Sequence, residues 1–150
     1  MVKKASEVQF MIFRILDKLF GVRLSETVEI ISPSRIREVP LSYFYVKGIM
    51  DYRGEFLPVM SLRRRFSLDD PIDGEKFILV INADERFGLT IDEVMGIAIV
   101  SDDKIEPSPP KVMGISSKYV SGLIKHDERQ AVILDINVLF STQTRIQLAL

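Results

Sequence analysis

The sequence predicts an all-β protein built as two β lobes related by internal duplication. Three observations carry this expectation. Phe20-Gly21-Val22-Arg23-Leu24-Ser25-Glu26-Thr27-Val28-Glu29-Ile30 lines up with Phe87-Gly88-Leu89-Thr90-Ile91-Asp92-Glu93-Val94-Met95-Gly96-Ile97. Further on, Tyr45-Val46-Lys47-Gly48-Ile49 lines up with Tyr119-Val120-Ser121-Gly122-Leu123, and two matched blocks in one order mark a repeated unit. Apolar runs are short and end at Gly, Pro or Asp turns, as strands do. Charge is also split, as suits lobes that face each other or different partners. Residues 1–66 hold twelve Lys/Arg against seven Asp/Glu, and residues 67–150 hold eight against fourteen.

In order, Val8 to Leu16 is dense in apolar and β-favouring residues and reads as a buried strand, with Asp17-Lys18 turning into a partner from Leu19 to Leu24. Ser25 suits the N-cap of a helical turn, with Glu26 and Glu29 in early positions; Val28 to Ile31 suits a strand equally well. Arg35 to Glu38, between Pro33 and Pro40, is a candidate strand, and Leu41 to Phe44 a candidate helical turn. Tyr45 to Leu62 then reads as a hairpin whose turn is Asp51-Tyr52-Arg53-Gly54. Gly54 supplies a positive φ there, closing the hairpin with a bulge. Ser61 to Phe66 reads as a short helix. Asp69 to Glu75, with Pro71 and Gly74 among acids, reads as the hinge between lobes.

The second lobe repeats the scheme. Phe77 to Ile81 and Phe87 to Ile91 flank a turn, Val94 to Val100 follows, and Pro107, Pro109 and Pro110 keep Ser101 to Lys118 extended. Tyr119 to Lys125 and Ala131 to Ile136 close around His126-Asp127-Glu128-Arg129. Val138, Leu139, Ile146 and Leu150 suggest a C-terminal amphipathic helix. One domain over 1–150 is expected, with lobes at about 17–68 and 76–136 completed by the terminal segments.

Composition excludes much. The absence of cysteine rules out disulfides and thiolate chemistry and accords with a reducing cytoplasm. No apolar run is long enough for a transmembrane helix, so a soluble chain without membrane insertion is expected. The opening MVKKASEVQFMIFRIL is broken by Gln9 and Arg14 and lacks the cleavage site of a signal peptide. Glycines are dispersed, so no loop cradles phosphate, and no serine sits in a nucleophile elbow. His126, the sole histidine, is expected to be solvated at a hairpin tip rather than catalytic. Asp92-Glu93 and Asp102-Asp103 lack calcium-loop spacing. Arg63-Arg64-Arg65 beside Phe66 fits a nucleic-acid grip, but no second basic stripe accompanies it, and a solvated helix turn accounts for it better. A binding module without cofactor or metal is expected, not an enzyme.

The run Tyr45-Val46-Lys47-Gly48-Ile49-Met50-Asp51-Tyr52-Arg53-Gly54-Glu55-Phe56-Leu57-Pro58-Val59 resembles the signature of the bacterial chemotaxis coupling proteins, the CheW family. Supporting matches are Phe20-Gly21, Glu29-Ile30, Gly88-Leu89-x-x-Asp92, Ile105-x-Pro107-x-Pro109 and Tyr119-x-x-Gly122, so the likeness runs from residue 7 to about 140. The resemblance implies two five-stranded SH3-like barrels with a shared apolar interface and no catalytic activity. It implies a cytoplasmic adaptor joining methyl-accepting chemotaxis receptors to the regulatory domain of the histidine kinase CheA, in arrays at the membrane. Glu29, Gly48 and Arg53 match residues tied to receptor coupling; Thr27, Val46, Tyr52 and Gly54 complete the implied receptor-binding set, and kinase-binding residues stay unassigned. Asp51-Tyr52 replaces the usual Asn-Leu, Ser61 a common aspartate and Thr27 a frequent valine. Tyr52 is expected to enlarge the contact surface at the hairpin tip. Two other functions stand beside this one: a divergent scaffold in a signalling cluster outside chemotaxis, and a nucleic-acid-binding barrel. Glu29 and Arg53 are expected to lie together beside an apolar groove, because the second repeat carries Gly96 and Asp127 in their places.

Overall fold

A computed structural model describes residues 6–40 and 42–140. Strands β1 (Glu7–Ile15) and β2 (Lys18–Arg23) form a hairpin, and a 3₁₀ turn at Leu24–Glu26 leads into β3 (Thr27–Ile31). A long connection reaches β4 (Val46–Tyr52), β5 (Glu55–Ser61) and the one-turn helix α1 (Leu62–Arg65). Then come β6 (Phe77–Asn82), β7 (Arg86–Ile91) and β8 (Glu93–Ser101), a 3₁₀ turn at Asp102–Lys104, and the two-residue strands β9 (Lys111–Val112) and β10 (Ile115–Ser116). A last 3₁₀ turn at Ser117–Tyr119 precedes β11 (Val120–His126), β12 (Arg129–Leu134) and α2 (Ile136–Leu139).

Two five-stranded sheets result, ordered β11-β12-β2-β1-β8 and β4-β5-β7-β6-β3. They match strand for strand. Gly48 pairs with Val59 after a bulge beyond Val46, and Gly122 pairs with Ile133 after a bulge beyond Val120. β5 runs parallel to β7 with Val59 opposite Gly88; β12 runs parallel to β2 with Ile133 opposite Gly21. Tyr45 accepts a hydrogen bond from the Ser61 N–H at 2.8 Å, and Tyr119 accepts one from the Asp135 N–H at 2.9 Å. Tyr45 and Tyr119 are therefore equivalent, as are Gly48 and Gly122. The duplication governs hydrogen bonding as well as sequence.

The lobes expected at about 17–68 and 76–136 do not coincide with the sheets. Hairpin β1–β2 of the first repeat joins β8, β11 and β12 of the second, and hairpin β6–β7 of the second joins β3, β4 and β5 of the first. Matching blocks tell which segments are alike; they do not tell which copy a strand pairs with. One lobe is thus continuous over residues 27–91, and the other combines residues 7–23 with 93–140. The chain crosses between them at Leu24–Glu26 and at Asp92. Regrouping by lobe cancels the charge split: residues 27–91 hold nine Lys/Arg against ten Asp/Glu.

Asp69 to Glu75 joins α1 to β6 inside the continuous lobe and is no hinge. Arg64 holds Asp70 at 2.8 Å, and Lys47 reaches Glu75 at 2.8 Å with both side chains largely buried. Val28 to Ile31 is strand, and Arg35 to Glu38 shrinks to one bridge, Arg37 to Ile49. The candidate helical turn gives way to an irregular approach with a turn at Phe44-Tyr45; Leu41 lies outside the described residues. The expected C-terminal helix is described only as α2, and its remainder also lies outside them.

Each lobe has a private core, such as Phe10, Ile12, Ile124 and Ile133 in one and Met50, Leu57, Val59 and Val80 in the other. The largest apolar cluster draws on both sheets, with Phe13, Phe20, Met60, Leu62, Phe87, Leu89, Val132 and Phe140 all buried. Burying each such side chain contributes about 1.5–3 kcal/mol, so the lobes are joined by core rather than by surface contact.

Candidate partner-binding site

In the sheet of the continuous lobe, β3 and β4 are the two outer strands, farthest apart in hydrogen-bonding order. Side chains nevertheless bring them together, because the twisted sheet curls into a barrel. The Tyr52 hydroxyl donates to Glu29 Oε1 at 2.9 Å, and Arg53 Nη2 donates to Glu29 Oε2 at 2.6 Å. The Arg53 guanidinium also lies 5.5 Å from the centroid of the Tyr52 ring. Glu29 and Arg53 thus meet, as their joint restriction to one repeat leads one to expect.

The turn that presents them is tighter than the sequence suggests. Tyr52 pairs with Glu55, leaving Arg53-Gly54 as a two-residue loop with φ of 51° and 81°. Positive φ at both positions makes it a type I′ turn, which follows strand twist without a bulge at the tip. Asp51 Oδ1 accepts the Gly54 N–H at 3.1 Å. Tyr52 does not enlarge the contact surface: it is 6% exposed and packs with Met50, Leu57 and Ile78. Burial pushes its phenol pKa up, and the hydrogen bond to Glu29 and that residue's charge add to the effect. The charge of Glu29 in turn raises the pKa of the Arg53 guanidinium. The Arg53 side chain is 70% exposed, so its partner is held at the surface.

The other implied residues play different parts. Val46 is buried in the shared core. Gly48 has a φ of +148°, and a Cβ there would stand 1.9 Å from the Arg37 carbonyl oxygen. Thr27 donates its hydroxyl to the Leu24 carbonyl at 2.8 Å, fixing the entry to β3. Gly54 has open space around it. These four shape the backbone or the core, while Glu29, Tyr52 and Arg53 form the polar cluster.

Sequence reasoning overlooked the exposed apolar side chains. Phe56 on β5 is 76% exposed, and Val28 and Ile30 on β3 and Ile97 and Ile99 on β8 are also exposed. Ile30 and Ile97 are counterparts in the repeat. Strict alternation was the missing signal: with Leu57 and Val59 inside, Phe56 must point out. A groove of about 300 Å³ lies between Phe56, Met50, Ile49 and Arg37.

The arginine run is not a solvated turn. Arg63 meets Asp92 at 2.8 Å, Arg64 grips both oxygens of Asp70, and Arg65 lies between the rings of Tyr45 and Tyr119 at 5.1 and 4.5 Å. Arg65 also donates to the Tyr119 hydroxyl and to the Leu139 carbonyl, spanning the two lobes. Guanidinium groups so engaged are poorly placed to neutralise phosphates. The His126 side chain is only 16% exposed and so is not solvated as expected, while Asp127 beside it at the tip is 92% exposed. Among the described residues no group of His, Asp and Glu is arranged to hold a metal ion, and no helix is long and apolar enough to cross a membrane.

A polar hollow between the lobes is lined by Glu26, Asp84 and Asp135. Burial raises the Glu26 pKa, Asp135 and Asp84 add to the rise, and Arg23 opposes it. A raised pKa in the folded state favours folding below the unfolded value, and this contribution is lost as pH rises through the folded value. Glu26→Gln should therefore melt slightly above wild type at pH 7, with the gap closing below about pH 4. Thermal melts across that range check it, and a gap that widens on acidification refutes the assignment.

Known proteins resemble the whole chain. The model of the CheW-like domain matches residues 9–144. "Chemotaxis protein CheW" of Treponema pallidum is 27% identical over 149 residues, covering 95% of this chain and 88% of that protein. "Protein FrzA" of Myxococcus xanthus is 26% identical over 145 residues, covering 95% and 90%. The crystal structure of the scaffolding protein TtCheW from Thermoanaerobacter tengcongensis superposes with a TM-score of 0.80 at 23% identity, covering 94% and 92%. The first of these names describes a chemotaxis protein and the last a scaffolding protein. With two sheets duplicated strand for strand and a family match across nearly its whole length, the chain belongs to the CheW-like family.

Proposed function

We propose that this chain is a non-enzymatic cytoplasmic adaptor that couples chemoreceptors to the regulatory domain of a CheA-type histidine kinase. Its place at the membrane comes through those partners. The observation that carries this reading is the Glu29–Tyr52–Arg53 cluster. The equivalent positions in the other lobe are Gly96, His126 and Asp127, so a barrel of this kind closes without it. Charges that one repeat keeps and the other lacks, held on a lobe that also exposes Phe56, Val28 and Ile30, suit a surface that receives a receptor helix.

The test is Arg53→Ala, assayed by melting and by pull-down of receptor fragment and kinase from one preparation. The exposed pair adds little to stability, so the melting temperature should move by no more than about 2 °C. Joint capture should weaken on the order of a hundredfold, since removing one member of a pair at a desolvated interface strands the other. A large fall in melting temperature would make Arg53 structural; unchanged capture would end the contact reading.

A further inference from the structure

We infer that Tyr52 is a positioning residue, whose hydroxyl, carried on a ring anchored in the core, holds the Glu29 carboxylate and, through it, Arg53 in the geometry presented to the partner. The inference rests on the contact reading above and concerns a side chain that is only 6% exposed. Its ring is locked in the private core of the continuous lobe among Met50, Leu57, Val59 and Val80, so the hydroxyl has a fixed position.

The oxygens of Glu29 are divided between two donors. Oε1 takes the Tyr52 O–H, and Oε2 takes Arg53 Nη2. The terminal torsion of a glutamate is soft, so one donor alone leaves the carboxylate plane free to turn. Two donors fix it. Arg53 has no comparable anchor of its own. It sits on a two-residue turn with positive φ, its side chain is mostly exposed, and Glu29 together with the ring and hydroxyl of Tyr52 is what restrains it. The tether therefore runs from the core through the phenol and the carboxylate to the guanidinium. Its elevated phenol pKa is consistent with a neutral donor facing a charged acceptor. Ordering a long side chain before binding lowers the entropic cost of association, so the hydroxyl should act on affinity without touching the partner.

Tyr52→Phe removes only the hydroxyl and keeps the ring beneath Arg53. Full-length wild type, Tyr52→Phe and Glu29→Gln should be compared by NMR, reading the order parameter of the Arg53 Nε–H bond. The expected result is a clear fall in Arg53 order in both variants, melting within about 2 °C of wild type for Tyr52→Phe, and a roughly three- to tenfold loss of receptor–kinase capture for Tyr52→Phe. A purely packing role would leave Arg53 order untouched, because the ring remains. Unchanged Arg53 order in Tyr52→Phe overturns the inference whatever the partner is. Intact capture in Arg53→Ala overturns the contact reading beneath it, and the two failures are read from different measurements.

Discussion

Gly48→Ala should melt about 10 °C below wild type, a loss on the order of 3–5 kcal/mol. Two independent effects act at this position. A φ of +148° is one that L side chains rarely adopt, and a Cβ would lie 1.9 Å from the Arg37 carbonyl oxygen. That oxygen belongs to backbone that cannot swing aside, because Arg37 and Ile49 exchange hydrogen bonds at 2.8 and 2.9 Å. The bulge beyond Val46 and the bridge to Arg37 must therefore give way together. The duplication supplies the control. Gly122 holds the equivalent place without a positive φ, and its Cβ would meet the tip of Ile105 at 2.5 Å and the Glu106 carbonyl oxygen at 3.1 Å. A side-chain methyl moves more easily than a carbonyl, so Gly122→Ala should cost distinctly less. Equal losses at the two glycines would show that crowding alone, without backbone strain, sets the effect.

Asp92→Ala should lower stability by about 2–4 kcal/mol. Asp92 lies where the chain crosses back between sheets, and its Oδ2 accepts both Arg63 Nη2 at 2.8 Å and the Leu16 N–H at 2.7 Å. Its own N–H donates to the Arg14 carbonyl at 3.0 Å. The Arg63 and Asp92 side chains are 11% and 12% exposed, against 70% for Arg53 in its pair with Glu29. Burial decides between the two ion pairs. The covered pair matters to folding, since losing Asp92 leaves the Arg63 cation without its partner and with little water. Arg63→Met combined with Asp92→Leu should recover much of the loss, because the stranded cation goes with its partner. Denaturant melts of both singles and the double decide it; singles within about 0.5 kcal/mol of wild type would make the pair a bystander.

The strands and their duplication were legible because they depend on local pattern. Phe20-Gly21 and Phe87-Gly88 lie within equivalent strands, and Tyr45 and Tyr119 immediately precede equivalent ones. The restriction of Glu29 and Arg53 to one repeat was legible for the same reason. Pairing between distant strands was not. Gly21 lies opposite Ile133 and Gly88 opposite Val59 in parallel pairs that no turn dictates, and these pairs decide which hairpin joins which lobe. The burial of Tyr52 depends on the curl that carries β4 to β3, and the engagement of Arg65 depends on Tyr119 arriving from the other lobe. Residues whose roles arise from closure look like surface residues when read one after another.

The exchange of hairpins between the sheets bears on how such a chain could arise. One repeat alone, β1 to β5, supplies a hairpin and three further strands, but its hairpin lies in the other sheet. A lone copy would leave its parallel edge unfilled, whereas two copies fill each other's gaps as partners in a swapped homodimer would. The stretch from Ser67 to Lys76 then reads as a seam. It joins the end of one copy to the start of the next within the same barrel, so a short segment suffices to link the two copies without rearranging either. The two tips differ within this shared frame, one carrying Arg53 and the other Asp127.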